Sequence, residues 1–436
     1  MADNMRMINV GLVSLGCAKN LIDSEMILAM FSADEYKLTD NPAEADLLIV
    51  NTCGFIEEAK SEAIDTILAM AQYPAKLVVV GCFVERNLAE LEKNIPEVDL
   101  WVPLKEYSHL HEKIEQLLGT KDLRPLNPLH RVVSTPDYAA YLRISEGCNN
   151  FCAFCAIPYI RGHFVSRPFD EVLLEAETLK KAGVKEISLV SQDTTMYGFD
   201  FPSHQPNIID LLKKLDAMGF YSIRLLYLYP DEISDELLEF IRDSRSIKRY
   251  FDIPIQCASD HLLGLMKRHG TAEKEKALFH RIKELMPDAI LRTTLISGFP
   301  GETEEDQKET LSFLEEIRFD HLGDFPYSRE KGTAAYSFDH QVPKTTKLKR
   351  KDEIMNLQRK ISYEQNKGHL GEVMEGIVTG YDPEKKYFTL RSYWNAPDDI
   401  DGNLYFSSQN SLKPGQIIRV KITASFIYDL IGEQVD

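Results

Sequence analysis

Short apolar runs separated by stretches of helical period fill the first three quarters of the chain, and brief alternating runs take over at its end. Within residues 1–118 the apolar runs Ile8–Ser14, Asp46–Asn51 and Lys76–Val80 read as strands, with helical stretches such as Asp23–Phe31 and Ile56–Ala71 between them. This alternation predicts a parallel sheet with crossover helices. From Gly119 to Pro136 the periodicity fades and Pro125, Pro128 and Pro136 accumulate, which marks a linker. A second series follows, with strands at Tyr141–Ser145, Glu186–Ser191, Ser222–Tyr229, Arg249–Ile255, Ile290–Ile296 and His321–Tyr327. Helical patterns at Asp170–Ala182, Ile208–Met218, Glu232–Arg242, Ala272–Met286 and Glu304–Ile317 separate them. Gly183 and Gly219 stand at C-cap positions, and Thr303 to Asp306 has capping-box spacing. Six βα units predict a partial barrel with its site at the strand C-termini.

A basic helical stretch with Lys344, Lys347, Lys349, Arg350 and Lys351 comes next and reads as a solvated face. The runs Val373–Val378, Tyr387–Arg391, Leu404–Phe406, Ile417–Ile422 and Phe426–Leu430 then predict a small antiparallel β-barrel. The expected class is α/β, divided into an N-terminal parallel α/β domain (1–124), a linker (125–137), a partial (βα)6 barrel (138–343), a helical connector (344–368) and the β-barrel (369–436).

Composition narrows the function. With 436 residues, 44% hydrophobic and 27% charged, the chain is an ordinary globular protein, and no apolar run has the length of a membrane span. Seven cysteines, an odd number in a large chain, argue against a disulfide framework and for a cytoplasmic setting. Val13 to Cys17 resembles a lipoprotein cleavage site, but the preceding segment holds Asp3 and only one basic residue, Arg6. The net charge of −18 opposes a nucleic-acid partner and favours a basic protein.

Six of the cysteines form two sets. Cys148, Cys152 and Cys155 are spaced C-x3-C-x2-C just beyond a strand. Soft sulfur ligands favour zinc or an iron–sulfur cluster. A zinc site would need a fourth ligand such as His163, whereas a [4Fe–4S] cluster held by three thiolates keeps one iron open. Cys17, Cys53 and Cys82 lack a motif spacing, yet each lies two or three residues past a parallel strand. Strand ends of that kind line one edge of a sheet, so the three converge there, flanked by Gly16, Gly54 and Gly81. They read as an auxiliary [4Fe–4S] site, and Cys257 reads as a packed thiol.

The chain resembles the radical S-adenosylmethionine methylthiotransferases over nearly its whole length. The resemblance rests on Gly16-Cys17-Ala-Lys-Asn20-Leu-Ile-Asp23-Ser-Glu25, Asn51-Thr-Cys53, Gly81-Cys82, Glu146-Gly-Cys148 through Phe154-Cys155, Ile157-Pro158 and Arg161-Gly162. It implies an N-terminal cluster domain, a radical barrel and a C-terminal TRAM domain. It also implies two [4Fe–4S] clusters, on Cys17/Cys53/Cys82 and Cys148/Cys152/Cys155, with S-adenosylmethionine at the open iron of the second. Phe154, Arg161, Gln192, Gln256, Gly298 and Gly301 are the candidate cofactor-binding residues, and Arg161 and Arg167 are placed to fork carboxylates.

The family has a tRNA branch (MiaB-like) and a ribosomal-protein branch (RimO-like). The segments Ala396 to Gly402 and Tyr428 to Gly432 look like the latter, and residues 369–436 carry six Lys or Arg against ten Asp or Glu. The resemblance therefore implies methylthiolation of an aspartate β-carbon in the small-subunit ribosomal protein numbered twelve. A radical derived from S-adenosylmethionine would take the hydrogen, and sulfur from the auxiliary site would replace it. An external electron donor and sulfur source are implied, a monomer is expected, and tRNA is disfavoured. A non-catalytic iron–sulfur sensor is the alternative from another class.

Overall fold

The computed structural model describes residues 7–31, 34–397 and 400–436. Asp3, Arg6, Asp398 and Asp399, which entered the sequence reading, lie outside these. Five parallel strands form the N-terminal sheet, in the spatial order Tyr36–Leu38, Ile8–Ser14, Leu47–Thr52, Lys76–Gly81 and Leu100–Val102. The central strands are apolar without alternation because both faces are covered. Leu47 and Ile49 face helices Ala18–Leu28 and Leu110–Leu118, whereas Leu48 and Val50 face Glu57–Met70 and Cys82–Asn94. Each fully buried side chain of this kind contributes roughly 1.5–3 kcal/mol.

The barrel strands are Ala139–Arg143, Glu186–Val190, Ser222–Leu225, Tyr250–Asp252, Ile290–Ser297 and His321–Pro326. They follow one another in space as two three-stranded parallel runs. The runs meet where Ile223 bridges Ile247, with Ile223 N donating to Ser246 O at 2.8 Å. No pairing joins the first strand to the sixth among the described residues, so the barrel is open on that side. The third and fourth strands stop short of their expected ends. The chain beyond them turns into the site, with Tyr227 at φ 59° and Gln256 at φ 71°.

The linker is not a free tether. Arg124 N donates to Met30 O, Val132 N to Glu25 O, and the Glu25 carboxylate takes Arg131 at 2.6 Å and Ser134 N at 2.7 Å. The basic connector also departs from the solvated face expected of it. Helix Lys344–Gly368 buries Ile354 and Ile361 in the barrel core, and its Arg350 is buried against Glu302 at 3.3 Å. Lys347 donates to Tyr327 O at 2.7 Å, while Lys344 and Lys349 stay exposed.

The C-terminal barrel closes in the order Val373–Asp382, Tyr387–Arg391, Leu404–Ser407, Leu430–Val435, Ile417–Ser425. One pairing, Leu404 with Leu430, is parallel rather than antiparallel. The last strand begins at Leu430, not Phe426. Phe426 N closes a turn on Asp429 O at 2.8 Å, and the Asp429 carboxylate accepts Asn403 N at 2.8 Å. Glu186 of the larger barrel binds Arg391 of this one at 3.0 Å, and Arg224, held to Glu186 at 2.8 Å, donates across the junction to Asn395 O at 2.7 Å.

Candidate active site between two cysteine triads

The N-terminal triad lies at the C-terminal edge of its sheet. Cys17 immediately precedes helix Ala18–Leu28, Cys82 opens helix Cys82–Asn94, and Cys53 follows strand Leu47–Thr52. The two helix N-termini bring unpaired N–H groups and a positive dipole end to the thiols, which favours an anionic occupant. Glycine is required here for close approach. A Cβ on Gly16, at φ 89°, would lie 2.6 Å from Cys53 Cβ, and one on Gly54 would lie 2.6 Å from Phe83 Cα. The Asn20 amide nitrogen donates to Leu15 O and Thr52 O, each at 3.0 Å, tying the first two loops together. Burial pushes the Cys82 thiol up to about 12, against the pull of Arg161.

The second triad sits in the loop after the first barrel strand. A short antiparallel pairing of Ser145–Glu146 with Val165–Ser166 pinches that loop at its base. A Cβ on Gly147 would fall 2.1 Å from His163 O, so the pinch admits only glycine there. Phe151 adopts φ 47°, an uncommon conformation of the kind that gathers at functional sites. Burial pushes the Cys148 thiol to about 11 and that of Cys155 to about 12. Both thiols carry their protons at neutral pH until a metal displaces them.

Three thiols without a fourth protein ligand are a donor set that suits an iron–sulfur cluster with one open iron. A lone zinc would gather its sulfurs at about 2.3 Å from one point, whereas each thiolate of a cluster binds a different iron. His163, the fourth ligand of the zinc alternative, is exposed and paired with Asn149 Oδ1 at 3.0 Å.

The N-terminal domain covers the C-terminal mouth of the barrel, bringing the triads to one place. Cys82 packs against Ala156 and Ile160, which directly follow Cys155. Ala18, Ile22 and Met26 pack on Val190 and Leu226 at the ends of the second and third barrel strands. Ionic seams lie on both sides. On one, Asp23 binds Arg143 at 2.6 Å and Arg161 at 2.8 Å, and Glu146 takes the same two arginines at 3.0 and 3.1 Å. On the other, buried Glu330 takes Lys60 at 2.5 Å and Arg86 at 3.1 Å, while Arg86 also donates to Gly54 O beside Cys53 at 2.6 Å.

The other residues singled out from the sequence are dispersed. The carboxylates met by Arg161 are the protein's own, Asp23 and Glu146, and its guanidinium also stands 3.4 Å from Cys82 Sγ. Arg167 likewise binds Glu175 at 2.6 Å. Gln192 donates to Glu146 at 2.5 Å, and its buried Oε1 has no protein partner. Gln256 bridges Leu295 through its backbone, and Phe154 packs with Cys257, Met266 and Phe299. Gly298 meets the connector helix, since its Cβ would fall 2.2 Å from Lys347 Cγ, and Gly301 packs on Leu265. Cys257 is a buried thiol, as its sequence position implied.

The sequence reading carried the polar face of helix Ala18–Leu28 only as part of the resemblance and gave its residues no role. Lys19, Asn20, Asp23, Ser24 and Glu25 are all buried, although a run of polar residues ordinarily faces solvent. Arg268 was also passed over, and its guanidinium stacks 4.3 Å from the Tyr229 ring centroid beside Cys152. Their signal was there: five polar residues interleaved with Ile22 and Met26 immediately after a candidate ligand.

Three family models match the chain. They are the uncharacterized protein family UPF0004 over residues 9–103, the radical SAM superfamily over 142–314 and the TRAM domain over 370–435. The ribosomal protein uS12 methylthiotransferase RimO of Acetivibrio thermocellus is 42% identical, covering 98% of each chain. The protein of the same name from Aquifex aeolicus is 43% identical over 98% of this chain and 97% of its own. Among solved structures, the radical S-adenosylmethionine methyltransferase TsrM from Kitasatospora setae superposes with a TM-score of 0.56 at 14% identity, over 76% of this chain and 74% of that one. The cobalamin-dependent radical enzyme OxsB gives 0.52 at 14% identity, over 82% and 62%. At that identity the two structures speak for the fold alone. The relatives, aligned end to end with all three domains, decide the family: this chain belongs to the RimO radical S-adenosylmethionine methylthiotransferases and is an enzyme of that class.

Proposed function

We propose that this enzyme methylthiolates the β-carbon of an aspartate in ribosomal protein uS12, in the cavity between two [4Fe–4S] sites. Cys17, Cys53 and Cys82 would hold the auxiliary cluster, and Cys148, Cys152 and Cys155 the one that binds S-adenosylmethionine. When bound, these groups supply radical chemistry able to attack an unactivated aliphatic C–H bond, which no side chain does at neutral pH. The packing of Cys82 on Ala156 and Ile160 carries the reading, because sulfur transfer to a carbon radical needs the two sites to share one substrate position.

The protein's own groups position and enclose. The Asp23 and Glu330 seams hold the N-terminal domain over the barrel mouth and exclude water. The unpartnered Gln192 Oε1 is the acceptor best suited to a cofactor N–H or O–H, with Gln256 and Phe154 on neighbouring strand and loop ends. The packing partners of Gly298 and Gly301 favour a turn role over cofactor contact. The negative charge of residues 369–436 suits a basic ribosomal protein and repels nucleic-acid phosphate. The electron donor and sulfur source are external, and the setting is cytoplasmic. No helix of the described residues is long and apolar enough to cross a membrane.

The test uses anaerobically reconstituted protein with S-adenosylmethionine and a strong reductant, offered uS12 and a prenylated tRNA in separate reactions. Gain of one methylthio group on the uS12 aspartate is the expected result. Modification of the tRNA alone would transfer the chain to the other branch. Intact clusters with no 5′-deoxyadenosine from either reaction would revive a sensor role.

A further inference from the structure

We infer that Lys19 is the residue that receives the carboxylate of the substrate aspartate, an inference that rests on the substrate reading above. Lys19 lies two residues beyond Cys17 on the helix that covers the barrel mouth, and only 8% of it is exposed. Its ammonium donates to Ser191 O at 3.2 Å and sits 3.4 Å from the centroid of the Tyr227 ring. Ser191 adjoins Gln192, and Tyr227 follows the third barrel strand, so the ammonium stands at the strand ends that would form the floor of the proposed substrate cavity. Cys17 and Tyr227 thus approach it from opposite sides of the domain junction.

No carboxylate pairs with this ammonium among the described residues. Its charged neighbours are already committed: Asp23 to Arg143 and Arg161, and Glu146 to the same two arginines and Gln192. An ammonium has three donors, and the protein supplies one oxygen acceptor and one ring face. One donor of the three is left without a protein acceptor among the described residues, and an arriving carboxylate oxygen can take it. Mere packing does not account for a lysine here. The helix meets the barrel ends through Ala18, Ile22, Met26, Val190 and Leu226, among which an apolar side chain would fit at no electrostatic cost.

The chemistry of the target completes the case. In an aspartate the β-carbon is bonded directly to the carboxylate carbon, so gripping the carboxylate fixes the carbon whose hydrogen is removed. The same contact gives selectivity. An asparagine in the target position keeps one acceptor oxygen but brings no charge to the ammonium.

The test measures binding of whole uS12, and of uS12 with the target aspartate changed to asparagine, to the reconstituted full-length enzyme. Wild-type protein should prefer the aspartate form by about tenfold to a hundredfold, the range of a charge-assisted hydrogen bond. Lys19→Met should bind both forms alike while keeping its iron content and its affinity for S-adenosylmethionine, and Lys19→Arg should restore part of the preference. The inference is overturned if Lys19→Met keeps the preference, or if its loss is instead in S-adenosylmethionine affinity. It also falls if the wild-type enzyme modifies the aspartate without preferring it. Wild-type enzyme that releases 5′-deoxyadenosine yet leaves the uS12 aspartate unmodified overturns the substrate reading itself, and this inference with it.

Discussion

Asp23→Asn is the sharpest perturbation of the seam that sets the two triads face to face. Asp23 is buried between Arg143 and Arg161, whose side chains are 9% and 4% exposed, and Glu146 on the other side of both arginines is a third exposed. Two cations and two anions balance in the wild type; the substitution leaves one positive charge uncompensated. Removing one member of a buried pair costs about 3–5 kcal/mol. Asparagine keeps one acceptor oxygen, so the lower end, about 3 kcal/mol, applies. That corresponds to local opening favoured roughly a hundredfold.

Hydrogen exchange is the suitable assay, because a chain of several domains has no single unfolding free energy. Amides in helix Ala18–Leu28, the 119–136 linker and strand Ala139–Arg143 should exchange about a hundredfold faster, with the C-terminal barrel unaffected. A second substitution, Arg161→Gln, rebalances the charge and should recover part of the loss. The sign with pH follows from the carboxyl. Burial acts to raise Asp23, but Arg161 and Arg143 outweigh it and hold it below the ordinary carboxylate range. Its contribution is therefore complete above about pH 4, the unfolded value, and is lost as pH falls through the lower folded value. Exchange in the seam that is unchanged in Asp23→Asn would refute the reasoning.

Other outcomes follow from separate parts of the molecule. Cys82→Ala and Cys148→Ala should each assemble half the wild-type cluster iron, and only Cys148→Ala should lose release of 5′-deoxyadenosine; iron analysis and chromatography check both. Burial would raise Glu186, yet Arg224 and Arg391 hold it down at about 2. Against an ordinary value of about 4.3 this contributes about 3 kcal/mol, present above about pH 4.5 and lost between there and about pH 2. Calorimetry should show the attachment of the C-terminal barrel weakening over that window, and Glu186→Gln should abolish the dependence. Gly298→Ala places a Cβ 2.2 Å from Lys347 Cγ at φ 78°. It should cost about 2 kcal/mol or more, read as a lower Tm that Lys347→Ala partly restores.

The sequence carried the architecture because its signals were local. Uniform apolar runs such as Leu47–Val50 announce strands covered on both faces, and the six βα units recur with regular helices between them. Cys17, Cys53 and Cys82 were legible as a group because parallel strands bring their C-terminal ends to one edge whatever the spacing. What stayed hidden depends on contacts distant in the chain. Arg161 shows nothing in sequence of its partner Asp23, 138 positions away, and the glycine at 298 answers to a lysine on the connector helix. The basic run at 344–351 misled for the same reason: Arg350 has its counter-charge in Glu302, on a turn that only the fold brings alongside. The strand placed at Phe426–Leu430 slipped because Asp429 and Gly402 build a turn from two segments that no periodicity connects.

The central claim is that two clusters face each other across one cavity. Electron paramagnetic resonance of the fully reduced protein, compared with Cys82→Ala and Cys148→Ala forms that each keep one cluster, tests it most directly. The account predicts that the wild-type spectrum shows magnetic interaction between the two centres, absent from either variant. A wild-type spectrum equal to the simple sum of the two single-cluster spectra would contradict it.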